Sequence, residues 1–193
     1  MLFFLPIKNF GQSRYNYKQG YKFISKAYRN LNKGNLKRAD RFLKKARQSN
    51  YGFCGNAWAG AFGSINIIQA QVYNERKEFD KTLKLLDSIY GCSFGADCES
   101  RDSLKILTLI LKFGKTKVKE SFEQVNEVRI TNADSLNFYN RYSIYFPELD
   151  YIFYLEADED DYIIENGRYI HKKKNSTEFI FEIKNRSCFK ELK

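Results

Sequence analysis

The chain has 193 residues, of which 43% are hydrophobic and 17% aromatic, and its 33 Lys and Arg against 23 Asp and Glu give a net charge of +10. This composition supplies one packed domain of ordinary size with a core and excludes a fully disordered chain. With 11 glycines and only 2 prolines, collagen-like classes are excluded as well.

The N-terminal residues predict neither export nor membrane insertion. The apolar run at residues 2–5 stops at Pro6, whereas a signal peptide needs about 7–15 apolar residues and a membrane span about 18 or more. We therefore expect a cytoplasmic protein without membrane contact.

The cysteines are expected to be free thiols, as is usual in a reducing compartment. There are four of them, Cys54, Cys92, Cys98 and Cys188. Cys92 and Cys98 share a loop-like stretch, which leaves a loop disulfide open as the alternative. Because the paired spacing of zinc ligands is missing, we predict no metal and no other cofactor.

The positive charge is concentrated at the start of the chain. The first fifty residues hold thirteen Lys and Arg and a single acid, Asp40. Over residues 36–48 the apolar side chains follow helical spacing, which predicts an amphipathic helix with a basic outer surface. The candidate partner-binding residues on it are Lys37, Arg38, Arg41, Lys44 and Lys45. This surface is either a solvated helix face or a site for an acidic protein or a phosphate backbone.

The preceding stretch interleaves aromatic and basic residues. The aromatics are Tyr15, Tyr17, Tyr21, Phe23 and Tyr28, and the cations between them are Lys18, Lys22, Lys26 and Arg29. Such interleaving is typical of nucleic-acid binding. It equally fits an amphipathic helix that buries its aromatics, so both interpretations stay open.

Two segments repeat a pattern of helix, short turn and helix. The distance from Ala27 to Leu36 is nine residues, as is that from Ala70 to Phe79. The pattern-bearing positions are Phe23, Ala27, Gly34, Leu36, Ala39, Leu43 and Ala46 in the first unit and Ala70, Tyr73, Phe79 and Leu86 in the second. Small residues let two antiparallel helices approach closely, and large ones fill the space between neighbouring pairs.

This alternation, over about residues 23–90, resembles the tetratricopeptide repeat, a helix–turn–helix unit of about 34 residues. The resemblance implies stacked helix pairs whose curved surface binds peptides or proteins. Asn30, Tyr51 and Thr82 depart from the family's pattern, and the two units are offset by 43 residues. The Gly- and Ala-rich residues 51–63 between them predict close helix packing, with Trp58 as a large anchor in the core or in a groove.

A third helix pair is predicted next. Ser100 or Asp102 caps a helix that Gly114 ends, and residues 115–128 form its mate. Asp134 is expected to cap a further short helix that ends before Pro147.

The pattern changes after Pro147. Residues 151–155, 162–170 and 178–183 are rich in aromatic and β-branched side chains, and Asn166-Gly167 is a strong hairpin signal. The predicted fold is therefore mainly α, with tandem antiparallel helix pairs over residues 1–147. Residues 148–193 form a small antiparallel β meander packed on these pairs as one structural unit.

An acidic run in this last segment is the second candidate partner-binding surface. It comprises Asp158, Glu159, Asp160 and Asp161. Contiguous acids on a loop are commonly solvated, but they also offer a negative patch to a basic partner. The only histidine, His171, lies beside three lysines, and no nucleophile motif or ligand array accompanies it. We therefore predict no enzymatic activity.

The size, the helical class and the missing catalytic set resemble the immunity proteins that neutralise bacterial polymorphic toxins. The resemblance implies a protein partner and a mechanism in which the immunity protein occludes a site on the toxin. The alternatives are an RNA- or DNA-binding helical protein that uses the basic first fifty residues, and a general scaffold adaptor.

Overall fold

The computed structural model describes residues 14–89, 97–132, 140–157, 162–165, 168–171 and 176–193. The chain is mainly helical, with a small three-stranded antiparallel sheet near the C-terminus, so the predicted fold class is confirmed. Within the described residues, no helix has both the length and the apolar character that a membrane crossing requires.

The first helix pair consists of α1, Tyr17–Leu31, and α2, Leu36–Arg47. Asn16 begins α1 through a reciprocal cap: its side chain accepts from the Gln19 amide at 3.0 Å, and the Gln19 side chain accepts from the Asn16 amide at 3.0 Å. Gly34 takes φ +69° in the turn, a backbone conformation that favours glycine. The pair is closed by small and large apolar side chains, namely Phe23, Ala27, Leu36, Ala39, Leu43 and Ala46.

The second pair consists of α3, Gly55–Glu75, and α4, Phe79–Asp87. Ala70 and Leu86 are inaccessible to solvent, and Tyr73 and Phe79 are half-buried. Thr82 occupies the small position between the two helices and donates from Oγ1 to the Ala70 carbonyl at 3.3 Å. The hydroxyl is therefore satisfied where the repeat pattern has Ala.

The Gly- and Ala-rich segment is the first part of α3 itself. This helix is 21 residues long, which accounts for the offset between the two sequence units. Trp58 stands near its start, donates from Nε1 to the Gly52 carbonyl at 2.7 Å and packs against the rings of Tyr51 and Phe62. It anchors the 51–54 connection to α3.

The third pair consists of α5, Cys98–Phe113, and α6, Lys115–Glu123, separated by Gly114 at φ +89°. Its limits differ from the prediction. The cap is the Asp97 side chain, which accepts from the Ser100 amide at 2.9 Å, and α6 ends before residue 128, where the first strand begins.

The sheet contains β1, Val128–Asn132, β2, Asn140–Phe146, and β3, Tyr151–Glu156, antiparallel in that order. The short helix expected before Pro147 is wrong, because that stretch is β2; Asp134 lies outside the described residues. The burial of side chains alternates along this stretch, as it does in a strand and not in a helix: Tyr142, Ile144 and Phe146 are buried, while Tyr145 is half exposed. The strands thus begin well before residue 147.

The strand predicted at residues 178–183 is also wrong. This stretch belongs to α7, Ser176–Lys184. Phe179 and Ile183 are buried whereas Phe181 is 70% exposed, which fits a helix with its i and i+4 positions inward. A strand would have turned all three side chains to one face.

The two remaining strands of the described residues pair with each other. β4, Tyr162–Glu165, and β5, Arg168–His171, form an antiparallel hairpin with Ile163 opposite Ile170. The predicted hairpin is confirmed, but it does not join the three-stranded sheet as the expected meander would. Asn166 and Gly167 lie outside the described residues.

The cysteines are not all free thiols, because Cys98 is disulfide-bonded. Cys54 is a free, exposed thiol, and Cys188 is a free, buried one whose pKa burial raises to about 12. Disulfides are commonest in oxidising compartments. A disulfide at Cys98 is therefore unusual for the cytoplasmic location that the sequence predicts. That location stays a prediction.

Gly20 marks the closest approach of α1 to the segment after α2. A Cβ atom there would lie 2.7 Å from Tyr51 Cε1 and 2.8 Å from Ser49 Cβ. We expect Gly20→Ala to lower the free energy of unfolding by about 1–3 kcal/mol through overpacking. Gly55→Ala is the control, since nothing lies within 4 Å of its Cβ position. Urea unfolding of both variants measures the difference, and equal stabilities would contradict the close approach.

Candidate functional site

A strongly basic pocket lies between α1 and α2 at the end that carries their connecting turn. Its volume is about 450 Å³, and its lining consists of Lys26, Arg29, Asn30, Lys33, Arg38, Arg41 and Phe42. The lining contains five cations and no acid. Among the described residues, none of these five cations forms an ion pair. The positive charge of the pocket is therefore not compensated by the described part of the chain.

Two phenylalanine rings lie at this pocket: Phe42 lines it, and Phe23 packs behind Phe42. The Phe23 and Phe42 rings stack with their centroids 6.3 Å apart. The Lys26 ammonium lies 5.4 Å from the Phe42 centroid, and the Lys45 ammonium lies 5.6 Å from that of Phe23. The rings hold the two lysine heads in place by cation–π attraction.

The structure separates the five predicted basic residues. Arg38 and Arg41 line the pocket, and Lys45 sits over Phe23 next to it. Lys37 and Lys44 are exposed and belong to a neighbouring strip of α2 outside the lining. Lys26 and Arg29 of α1 and Lys33 of the following turn were not among the predicted site residues. The i, i+3 spacing of Lys26 and Arg29 was the available signal.

Asp40, the single acid of the first fifty residues, does not neutralise the pocket. Its carboxylate pairs with Arg76 and accepts a hydrogen bond from Gln69 at 3.0 Å, on the side of α2 that faces α3. The acidic run predicted as a second surface, Asp158, Glu159, Asp160 and Asp161, lies outside the described residues.

A second surface is the groove formed by the first helix of each pair, which we name the α1–α3–α5 groove. It has two adjoining halves of about 880 and 770 Å³ that share Tyr28, Gln71, Leu104 and Leu107. Its apolar lining also includes Ile24, Leu31, Ile67, Ile68, Ile110 and Leu111. Each half is of the size that small-ligand and peptide sites occupy.

Helix α5 exposes apolar residues into this groove and buries charged ones on its other side. Leu107 and Leu111 are 49% and 51% exposed, while Arg101 and Lys105 are completely buried. Tyr28 of α1, 50% exposed, lines the same half as both leucines. Apolar surface of this kind, facing solvent in a concavity, is typical of an interaction site.

The floor of the groove also carries polar groups. Gln71 lines both halves, and Asn74 donates from Nδ2 to Thr108 Oγ1 at 2.8 Å. The Oε1 atom of Gln71 and the Oδ1 atom of Asn74 are buried without a hydrogen-bond partner among the described residues. A bound segment with N–H donors would satisfy these oxygens after a side-chain rotation.

The buried charges of α5 form an ionic cluster that joins the helices to the sheet. Arg101 forms a fork with Asp102, at 2.7 and 2.9 Å, and donates to Glu156 Oε1 at 3.0 Å and to the Ile89 carbonyl at 2.9 Å. Lys105 donates to the Tyr154 carbonyl at 2.9 Å and lies 2.8 Å from Asp87. The local sequence pattern does not predict this cluster.

Burial and pairing set the ionisation of this cluster. Burial lowers the pKa of Lys105 despite the attraction of Asp102 and Asp87. Burial also opposes the charge of Arg101, but its bonds to Asp102 and Glu156 raise its pKa overall. Burial, aided by Asp87, raises the pKa of Tyr151, whose hydroxyl donates to Asp87 at 3.1 Å. Tyr151 therefore stays a neutral donor, and the cluster serves as a packed, ion-paired joint between the helices and the sheet.

In the part of the chain that the structure describes, no group of three or more His, Cys, Asp or Glu side chains is placed to hold a metal ion. The comparison with protein-family models, curated proteins and solved structures finds no match for this chain.

Proposed function

We propose that the chain is a non-enzymatic protein-binding module that holds a segment of its partner in the α1–α3–α5 groove. The observation that carries this proposal is that α5 leaves Leu107 and Leu111 about half exposed while it buries Arg101 and Lys105. Exposed leucines cost free energy in water, and a partner's apolar side chains recover it at about 25 cal/mol per Å² buried. The tetratricopeptide-like pairing that the sequence predicts supports the same use of this surface.

The groove proposal is tested with peptides selected against the full chain from a random displayed library. We expect the selected peptides to bind Tyr28→Glu and Leu107→Glu at least about tenfold more weakly than the original chain, because a buried charge replaces an apolar contact. Fluorescence anisotropy measures the affinities. Ile152→Glu, on the exposed face of β3 at 43% exposure, is the control and should leave them unchanged. Peptides that bind both groove variants undiminished would contradict the proposal.

The specific form of this function that we propose is toxin neutralisation, in which the chain occludes a site on a cognate bacterial toxin in the cytoplasm. Its support is the small helical-pair architecture together with two surfaces suited to a protein. The test is coexpression with the reading frame adjacent to its gene. Growth arrest caused by that neighbour should be relieved by the chain and not by Leu107→Glu. A neighbour that is harmless, or whose toxicity the chain leaves unchanged, would contradict the specific form and not the groove.

A further inference from the structure

We propose that the basic pocket between α1 and α2 binds a carboxylate-rich segment of a protein. The cations that contact the carboxylates are Arg38 and Arg41 of α2 and Lys26 and Arg29 of α1. This site is distinct from the α1–α3–α5 groove, because the two surfaces share no lining residue. Its failure would therefore leave the groove proposal standing.

Charge complementarity is the first argument. Five cations converge on one concavity of about 450 Å³ with no acid in its lining, and Asp40, the nearest acid in sequence, is occupied by Arg76 and Gln69. Holding like charges together costs free energy in the empty pocket. An anionic ligand removes this cost and is attracted by several cations at once.

The donors suit an anion that presents two oxygens side by side, as a carboxylate does. Three of the five cations are arginines, whose planar forks match a carboxylate with two parallel N–H···O bonds. Arg29 uses Nε to donate to the Ser25 carbonyl at 3.4 Å, an interaction that leaves its terminal N–H groups for a ligand. Arg29 thus contacts its own helix through Nε while its side chain lines the pocket.

The aromatic residues argue against a nucleic acid. Binding of a single strand needs ring faces on which bases stack, but Phe23 and Phe42 stack on each other and carry Lys45 and Lys26. The exposed Tyr21 and Tyr28 project about 140–160° around α1 from Lys26, at 100° per residue. The pocket cation Lys26 and these two exposed rings therefore lie on different sides of α1. A pocket of this size also contacts too short a length of backbone for a duplex, whose charge is spread along its axis.

The experiment compares two double variants of the full chain that carry the same change of charge on the same helix. Arg38→Glu/Arg41→Glu alters the pocket lining, and Lys37→Glu/Lys44→Glu alters the adjacent strip. The probe is a short fluorescein-labelled peptide of alternating Asp and Gly, titrated at low and at physiological salt. We expect the pocket variant to bind at least about tenfold more weakly than the original chain, and the control variant to change by less than about threefold.

Several results would overturn the proposal. One is equal weakening by both double variants, which would show attraction to the net charge alone. Another is tighter binding of single-stranded or duplex DNA of matched charge, which would assign the pocket to nucleic acid. A third is failure of the original chain to bind the peptide. Circular dichroism verifies folding, and should the glutamate pair unfold the chain, Arg38→Gln/Arg41→Gln replaces it with the same expectation.

Discussion

Arg101→Met is expected to lower the free energy of unfolding by about 3–5 kcal/mol, the cost typical of removing one partner from a buried ion pair. The guanidinium is completely buried and holds Asp102, Glu156 and the Ile89 carbonyl. Methionine fills similar space but removes the guanidinium that both buried carboxylates contact. Urea denaturation near neutral pH, followed by circular dichroism, measures the change.

The matched control is Arg129→Met. Arg129 also forks onto a carboxylate, that of Glu127, at 2.9 and 3.0 Å, but both side chains are exposed. Water screens this exposed ion pair, so Arg129→Met should not change the urea concentration at the unfolding midpoint. Equal effects of the two substitutions would show that the Arg101 cluster does not join the helices to the sheet.

Leu43→Ala is expected to lower the free energy of unfolding by about 2–5 kcal/mol, because it leaves a cavity between α1, α2 and α3. Leu43 is inaccessible to solvent and lies among Ala27, Ala39 and Ala46, which have no room to close the gap. Leu111→Ala makes the same truncation at a half-exposed groove position and should cost no more than about 0.5 kcal/mol. Thermal and urea unfolding compare them. A Leu43→Ala loss as small as that of Leu111→Ala would contradict the packed helix pair.

Helical periodicity predicted the pairs because their burial follows from local spacing. Phe23 and Ala27 in α1, and Ala39 and Leu43 in α2, are each four residues apart and so fall on one face of their helix. The same reasoning fails for short apolar runs such as residues 178–183, where helix and strand both fit. Packing against Tyr142 of the sheet, 4.8 Å from Phe179 between ring centroids, decides in favour of the helix.

The groove and the ionic cluster could not be predicted from the sequence for a different reason, which is that both depend on contacts between distant residues. The sequence places Arg101 and Lys105 on what looks like an exposed polar face of α5. Distant residues help to bury them instead: Glu156, 55 residues further along the chain, pairs with Arg101, and Asp87 of α4 pairs with Lys105. Leu107 and Leu111 of the same helix are left about half exposed. The basic pocket was partly predictable: Arg38 and Arg41 were identified, whereas Lys26 and Arg29 join them only because α1 and α2 pack side by side.

Methyl NMR of the full chain, labelled at Ile and Leu methyl groups, tests the central claim that the α1–α3–α5 groove receives the partner. The tightest selected peptide or the cognate partner is titrated in. If the groove receives the partner, we expect chemical-shift changes concentrated on the methyl groups of Ile24, Ile67, Leu107 and Leu111. The methyl resonances of Ile152 and Ile183 should stay unaffected. Changes centred on Ile152 in the sheet, with the groove methyl groups unmoved, would contradict it.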